Sequence, residues 1–499
     1  MDYIRPAHRQ QATLFPEVLD EYIDPDHPVR FIDAYIESLD LAQLGFTHTR
    51  LSATGRPPYR AQELLKLYVY GYLHGLRSSR ALERETRRNV EVMWLLGKLS
   101  PDFKTIANFR KDNPMALQTV CAEFIVLCKR MNVFGGQLIA IDGSKFEAVN
   151  HSSRSYSRKG IEQALANINE QLGRWLGELD QADQQESKAG DPGSLANKIA
   201  ALQDQKEELE HLRSHMQQKE LPGGSLTDPD SRTMRTGHKG RDVCYNVQIA
   251  VDDKHKLIVA HQVSSEHTDL HQLLPLTRAA KSVLGVPTLQ VVADKGYYNE
   301  QQILDCERLG ATCYVPGANG NGGQTTGIYS KKDFVYHAHC DSYRCPAGQY
   351  LPYKSTVTKN GKITRMYETS ACKDCPLRTQ CTSAKRGNRR MYRWKYESII
   401  EAMKARVKAH PEKMAQRAQL AEHPFGTLKR AMGHGYFLTK GLQQVSTEMS
   451  LSVLTYNLKR MLNIYSVKEL IQAVMTQPSP SIWSRMWGKK PLILIRTAQ

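Results

Sequence analysis

Three acidic residues stand out because each lies in a short and distinctive local sequence. Asp142 ends the apolar run 138–141, Asp294 ends a second apolar run, 289–293, and Glu422 lies in a basic helical pattern. Carboxylates are hard oxygen ligands, and two Mg²⁺ ions held about 3.5–4 Å apart by such ligands clamp the attacking and leaving oxygens of a phosphodiester. One acid after an apolar strand is common in α/β turns. Three in this order on a basic chain indicate two-metal phosphoryl transfer.

The overall charge supports a polyanionic partner. Lys and Arg number 68 against 51 Asp and Glu in 499 residues, which gives a formal net charge of +17 and a pI of about 9.3. The excess is spread along the chain, so we expect a folded surface that faces nucleic acid, although a merely basic protein would share the charge. No stretch reaches the roughly 18 apolar residues of a membrane span, and the polar start is unlike a signal peptide. We therefore expect no membrane association and a cytoplasmic, nucleoid-associated protein.

Residues 1–132 combine helical apolar spacing with repeated basic residues. Apolar residues recur three and four positions apart between Leu64 and Tyr72, and arginines decorate the segments that follow. These features predict an N-terminal helical DNA-binding domain similar to a helix-turn-helix reader, with Arg80 and Arg110 as DNA contacts. A helical bundle with an ordinary solvated basic face would show the same pattern.

The central part of the chain alternates strand and helix patterns. Apolar strand runs precede and follow helical segments between residues 138 and 315, which predicts an α/β fold with a mixed sheet flanked by helices. Heptad spacing over 161–218, broken by a Gly- and Pro-containing turn at 190–193, predicts an antiparallel coiled-coil hairpin inserted over 155–225. A plain helical hairpin packed on the core is the alternative.

A Cys-rich insertion is predicted over residues 317–396. Its cysteines follow the spacing C-x4-C and then C-x2-C-x5-C, and tight C-x2-C pairs let two thiolates reach one tetrahedral ion. Free surface thiols are the alternative, and Cys340 or His339 could replace one of the ligands. The cysteines that we favour for a structural Zn²⁺ site are Cys345, Cys372, Cys375 and Cys381.

Basic and aromatic residues interleave between 385 and 396. Arg390 and Arg393 alternate here with Tyr392 and Trp394. Basic charge binds phosphate and aromatic rings stack on unpaired bases, so we predict that both arginines contact DNA. A strand with alternating faces would give the same pattern. A long helix is expected over about 397–432, with interruptions near Pro411 and Pro424.

The acidic segments resemble those of the DDE transposases of bacterial insertion sequences, the cut-and-paste class. The resemblance covers nearly the whole chain and rests on 140–145 (AIDGSK), 293–298 (ADKGYY) and 422–429 (EHPFGTLK). It implies an RNase H-like catalytic domain over 133–462, with the hairpin and the Cys-rich segment as insertions. Residues 463–499 would form a C-terminal tail.

The resemblance also implies residue roles. Asp142, Asp294 and Glu422 would be the catalytic ligands of two Mg²⁺ ions, with Mn²⁺ as an alternative ion. Lys429 and Lys295 would meet DNA phosphates, although simple surface lysines are equally compatible. The wider signature has an Arg four residues before the Glu and a Tyr three before that, where this chain has alanines. The residue that could replace that arginine through a one-residue helical shift is Arg417.

The implied function is transposition. Such an enzyme binds the terminal inverted repeats of its element, cleaves the ends and joins the 3′-OH to target DNA, so double-stranded DNA and a homodimeric synaptic complex are the expected partners. An RNase H-fold nuclease would share the acids, but it would not need an end-binding domain. A transposase-derived DNA-binding protein without catalysis would tolerate loss of an acid, and all three are present.

Overall fold

The chain divides into two compact units, which are described separately. The computed structural model describes residues 18–47, 58–150, 154–184, 192–218, 220–236, 240–317, 328–359, 361–382 and 387–476. The first unit comprises Met1–Asp269, Ala279–Val286 and Ala418–Gln499, and the second comprises Leu270–Arg278 and Pro287–Arg417.

The N-terminal part of the first unit is helical, as predicted. Polar caps set several helix starts: the Ser78 side chain accepts a hydrogen bond from the Ala81 N–H, and Asp102 accepts from those of Lys104 and Thr105. The helices are α1 (Pro28–Glu37), α2 (Ala61–Leu73), α3 (Ser79–Arg88), α4 (Val90–Leu95), α5 (Phe103–Asp112) and α6 (Pro114–Arg130).

Antiparallel strands follow in the same unit. Strand β5 pairs with β1, with β4 and with β6, and all three pairings are antiparallel. Residues from α1, α2 and α6 share one hydrophobic core with β5, β6 and a C-terminal helix. The strands are β1 (Leu138–Glu147), β4 (Arg232–Thr236), β5 (Gly240–Asp252) and β6 (Ile258–Ser264).

A helical hairpin lies between β1 and β4. Two short strands, β2 (Ser155–Ser157) and β3 (Gly223–Ser225), pair antiparallel at its base, and helices α7 (Arg158–Gln184) and α8 (Pro192–Gln218) form its arms. The arms share a small core of their own that includes Ile161 and Leu209. Two paired helices thus occur where the hairpin was predicted, while residues 185–191, which include the first half of the turn predicted at 190–193, lie outside the described residues.

The C-terminal part of the first unit is also helical. Pro424 lies inside helix α13 (Glu412–Gly426), where we had predicted an interruption, and the irregularity comes after it as a π-helical turn at Thr427–Ala431. Helices α14 (Leu442–Leu462) and α15 (Val467–Met475) follow. The predicted tail beyond 476 lies outside the described residues.

The second unit contains a parallel strand pair and a separate antiparallel sheet. Strands β7 (Leu289–Ala293) and β8 (Ala311–Tyr314) pair in parallel and are connected through α10 (Glu300–Arg308). Helix α9 (Leu273–Leu284) begins in this unit, and α12 (Glu397–Ala409) follows the sheet. The antiparallel sheet has the order β13-β12-β11-β10-β9. Its strands are β9 (Val335–His337), β10 (Ser342–Arg344), β11 (Tyr350–Lys359), β12 (Lys362–Tyr367) and β13 (Met391–Trp394), and the short helix α11 (Arg378–Cys381) precedes β13.

Both kinds of strand pairing occur, so the predicted mixed α/β fold is confirmed. The antiparallel strands β1, β5 and β6 are followed along the chain by a β-α-β pair, which is the element order of the RNase H-like fold. None of the described helices is long and apolar enough to cross a membrane.

Candidate active site

Asp142 lies in the middle of β1, in the first unit. The three residues before it, 139–141, are fully buried, whereas Asp142 is half-buried. Its backbone pairs with that of Ile249 on β5, and its Oδ1 accepts a hydrogen bond of 2.9 Å from the Gly143 N–H. The strand therefore holds this carboxylate at the point where the apolar sequence ends.

Asp294 follows β7, in the second unit. Its carboxylate caps the short 3-10 helix Lys295–Tyr297 and accepts a hydrogen bond of 2.7 Å from the Gly296 N–H. The fully buried Tyr297 anchors this turn. Capping uses Oδ1, and a carboxylate has a second oxygen for other ligands.

Glu422 lies on the exposed side of α13, in the first unit. Glu422 is exposed, whereas three residues close to it in the sequence are buried: Ala421, Pro424 and Phe425. The ring of Phe425 packs against that of Phe146 on β1, with 6.1 Å between centroids. The apolar face of the helix thus attaches it to the strand that carries Asp142.

Lys429 makes a second connection between the same two elements. From the π-helical turn, its Nζ donates to Ser144 Oγ at 2.7 Å and to the Lys145 carbonyl oxygen at 2.6 Å. The amine also lies 4.5 Å from the centroid of the Phe146 ring. Burial lowers the pKa of Lys429. The side chain that was predicted to meet DNA is therefore engaged within the protein.

A polar cluster beside Asp142 was missed in the sequence analysis. Asn246 and Gln248, both fully buried, hydrogen-bond to Asp269, and Lys145 Nζ lies 3.6 Å from the Asp269 carboxylate. A local signal was available, because two amides at alternate positions interrupt an otherwise apolar strand. This pattern could have indicated that one face of β5 contacts other polar side chains.

The remaining basic candidates of the first unit differ in exposure. Arg80 is exposed and stacks on the ring of Phe103 at 5.2 Å. Arg110 is half-buried, donates to the Tyr72 hydroxyl at 3.4 Å and lies 5.7 Å from the centroid of the Tyr68 ring. Arg80 is thus the more accessible of the two to a DNA phosphate.

The basic residues predicted to contact DNA in the second unit differ more strongly in exposure. Lys295 is exposed and Arg417 is half-buried on α13. Arg390 is exposed and pairs with Glu368 at 3.3 Å. Arg393 is buried, and its two terminal nitrogens donate to the two carboxylate oxygens of Glu401 at 2.6 and 2.7 Å.

The four cysteines favoured for zinc line one small cavity. Its volume is about 30 Å³, and Arg378 and Arg389 also line it. Burial raises the pKa of Cys381, and the other three thiols add to this effect. The cavity-lining cysteines are Cys345, Cys372, Cys375 and Cys381.

Two segments of the chain match known protein families. A family model described as a transposase DDE domain matches residues 344–462, and one described as a transposase domain (DUF772) matches residues 17–112. Both matches are to transposase families. Among solved structures, the chain is similar to the piggyBac transposase in a synaptic complex with hairpin DNA, over 94% of this chain and 83% of that one, with 9% identity and a TM-score of 0.32. No curated protein matches the sequence.

The matched segments cover different parts of the candidate site. The DDE-domain match contains Glu422 and Lys429, and the other match contains Arg80 and Arg110. Within the described ranges of the chain, no group of three or more His, Cys, Asp or Glu side chains is placed so that it could hold a metal ion.

Proposed function

We propose that this transposase binds the terminal inverted repeats of its element, cleaves the ends, and joins the 3′-OH to target DNA by two-metal phosphoryl transfer. The observation that carries the proposal is the 2.7 Å hydrogen bond from Lys429 to Ser144. It ties the segment that contains Glu422 to the segment that contains Asp142, within one unit. The residues proposed as catalytic are Asp142, Asp294 and Glu422.

The donor chemistry of these residues fits Mg²⁺, and Mn²⁺ as an alternative. All three are carboxylates, which are the ligands that hard divalent cations prefer. When bound, two such ions supply a nucleophilic hydroxide and neutralise charge at the scissile phosphate. DDE transposases generally use divalent metals, which supports this choice.

The protein groups around the acids have their own tasks in the proposal. The Gly143 N–H orients the Asp142 carboxylate, and the Gly296 N–H orients that of Asp294. Glu422 is exposed on a helix whose other face is buried, so its carboxylate is accessible to DNA and ions. Exposure of the Glu422 carboxylate also suits a polymeric substrate such as DNA, which cannot enter a closed pocket.

Double-stranded DNA is the proposed partner, both as transposon end and as target. The net charge of +17 supports it. Residues 1–132 would serve as the end-binding domain, and two chains would hold two ends in a synaptic homodimer at the nucleoid. The exposed or half-buried basic residues proposed to contact phosphates are Arg80, Arg110, Lys295, Arg390 and Arg417.

A structural Zn²⁺ ion is a further part of the proposal. Thiolates are preferred zinc ligands, and four cysteines are among the residues that line one cavity in the second unit. The hydrophobic core beside it has few members, including Phe334, Tyr343 and Tyr367, so a metal crosslink would stabilise this insertion substantially.

Cleavage and joining assays test the catalytic proposal. Each assay contains Mg²⁺ and a labelled duplex that carries the inverted repeat flanking the coding region. The full-length unmodified chain is compared in it with the variants Asp142→Asn, Asp294→Asn and Glu422→Gln. Glu412→Gln is the matched control, because Glu412 is an exposed acid on the same helix. We expect each of the first three variants to bind DNA but to lose both reactions, and the control to retain them.

Other outcomes select the rival functions. Cleavage without joining by the unmodified chain would favour the hydrolytic nuclease. DNA binding without any reaction would favour a DNA-binding protein that has lost catalysis.

Metal analysis tests the zinc site separately. We expect about one zinc per chain by elemental analysis, less after Cys375→Ser, and no change after Cys306→Ser, which alters a buried cysteine elsewhere in the second unit. Zinc-free protein with an unchanged thermal midpoint would refute the site.

A further inference from the structure

Asp269 holds the centre of the polar cluster on β1 and β5. It follows β6, and its Oδ1 accepts hydrogen bonds from Gln248 Nε2 at 2.6 Å and Asn246 Nδ2 at 2.7 Å. Gln248 Nε2 also donates to Asn246 Oδ1 at 3.0 Å. Two fully buried amides therefore converge on one carboxylate, and hydrogen bonds to charged groups are about twice as strong as neutral ones.

The strand register places this cluster next to Asp142. Gln248 lies opposite Gly143, and Asn246 lies opposite Lys145, so the amides face β1 residues immediately beyond Asp142. Because side chains alternate along a strand, Gly143 and Lys145 belong to one face of β1 and Asp142 to the other. The cluster therefore contacts β1 on the face opposite to the proposed catalytic carboxylate.

The glycine after Asp142 is explained by the same contacts. A Cβ added at Gly143 would lie 2.3 Å from Gln248 Nε2 and 3.1 Å from Asp269 Oδ1. Any side chain at this position would push the amide and the carboxylate away from the strand. The cluster thus packs directly on the peptide whose N–H orients Asp142.

Lys145 extends the cluster toward the helix of Glu422. Its Nζ lies 3.6 Å from Asp269, and its carbonyl oxygen accepts the 2.6 Å hydrogen bond from Lys429. One residue of β1 is thus fixed from both sides. Its amine is mostly buried, so Asp269 supplies the counter-charge that it needs there.

We propose that Asp269 is a positioning residue of this transposase, which fixes β1 through Gln248, Asn246 and Lys145 so that Asp142 keeps the orientation required for metal binding. The inference rests on the proposed catalytic role of Asp142. Asp269 acts through these neighbours and does not itself touch DNA or metal.

Conservative variants of Asp269 test the inference. Asp269→Asn removes the charge that balances Lys145 and offers the amides a weaker acceptor, whereas Asp269→Glu keeps the charge. The matched control is Asp33→Asn, because Asp33 also pairs with a lysine, Lys66, at 2.7 Å in the same unit. Each full-length variant is compared with Asp142→Asn for thermal midpoint, affinity for the terminal duplex, Mn²⁺ binding by calorimetry without DNA, and cleavage rate.

We expect Asp269→Asn to lower kcat at least tenfold, with DNA affinity within twofold of the unmodified chain. In Asp269→Asn, backbone amides of residues 138–147 should exchange hydrogen faster, and Mn²⁺ affinity should fall severalfold. Asp269→Glu should restore part of the cleavage rate and part of the Mn²⁺ affinity. Asp33→Asn should change none of these. Unchanged kcat and unchanged Mn²⁺ affinity in Asp269→Asn would overturn the inference, as would a loss that merely follows unfolding.

The two proposals fail in different ways. If Asp142→Asn abolishes cleavage and Asp269→Asn does not affect it, only the positioning role is lost. If Asp142→Asn itself cleaves at the unmodified rate, the proposed catalytic function fails first.

Discussion

Lys429 Nζ donates a hydrogen bond of 2.7 Å to Ser144 Oγ, although the two residues are 285 positions apart in the chain. The contact joins the strand of Asp142 to the π-helical turn that follows the helix of Glu422. π-Helical turns are rare and frequently occur at functional sites. Here the side chain of Lys429, which lies in such a turn, connects two of the three proposed catalytic segments.

Replacement of Lys429 distinguishes a positioning role from a DNA contact. In Lys429→Met both hydrogen bonds to β1 are lost, so we expect cleavage to fall at least tenfold while DNA affinity and its salt dependence stay unchanged. A phosphate contact would instead weaken binding and reduce the salt slope by about 1. Fluorescence anisotropy from low to high salt, together with single-turnover cleavage, measures both quantities. Ser144→Ala, which removes one acceptor only, should show a smaller loss of rate.

The buried ion pair of Arg77 and Glu448 should dominate the stability of the first unit. Their side chains are only 4% and 1% exposed, and Arg77 also donates to the carbonyl oxygens of Gly433 and Tyr436. Removal of one partner leaves a buried charge, which typically costs about 3–5 kcal/mol. We therefore expect Arg77→Met to lower the free energy of unfolding by that amount in urea denaturation.

An exposed arginine provides the control for that measurement. Arg87 is 66% exposed and pairs with Glu83 one helical turn away. Because such surface pairs contribute roughly 0–1 kcal/mol, Arg87→Met should leave the unfolding midpoint nearly unchanged. Equal effects of the two substitutions would contradict the role of the buried pair.

Stability should fall in mild acid because of His434. Burial, with a contribution from the nearby Arg77 charge, lowers the pKa of His434 to about 3. In the unfolded chain this histidine takes up a proton near pH 6.5, whereas in the folded chain it stays neutral until the pH approaches 3. Its contribution to the free energy of unfolding is therefore complete above pH 6.5 and is lost as the pH falls toward 3. One such group lowers the free energy of unfolding by about 2 kcal/mol between pH 7.5 and pH 5.

Denaturation at several pH values measures this dependence. His434→Leu should flatten the stability profile between pH 7.5 and pH 5, whereas His410→Gln, at a half-exposed position, should not. A profile that is identical in the unmodified chain and in His434→Leu would show that other groups control acid stability.

The sequence was most informative where structure is set locally. Apolar runs predicted where β1 and β7 begin, and heptad spacing predicted the hairpin helices, because both depend on neighbours in the chain. Asp142 was expected at the end of a strand, but β1 continues past it to Glu147. The engagement of Lys429 and the Asp269 cluster were not predictable in this way, since they depend on long-range strand and helix contacts. Pro424 was expected to interrupt its helix, but packing of the neighbouring Phe425 on Phe146 retains the helical backbone there.

Arg390 and Arg393 were predicted as equivalent DNA contacts, but their surroundings predict opposite phenotypes. Arg393 is 7% exposed, makes a bidentate pair with Glu401 and lies 3.8 Å from the centroid of the Tyr336 ring. Arg393→Met should therefore destabilise the second unit, with little direct effect on DNA affinity of the folded fraction. Arg390 is 54% exposed and pairs with the buried carboxylate of Glu368, which keeps Asn388 and Lys354 as partners when Arg390 is replaced. Arg390→Met should leave stability within about 1 kcal/mol and weaken DNA binding, with a salt slope reduced by about 1.

Paired measurements of unfolding and salt-dependent DNA binding decide between these roles. The two variants remove the same charge three residues apart, so each serves as the control for the other. A loss of affinity in both at unchanged stability would mean that the Glu401 pair opens when DNA binds. Unchanged affinity in both would remove β13 from the DNA-binding surface, because Arg390 is the exposed arginine that supports its inclusion.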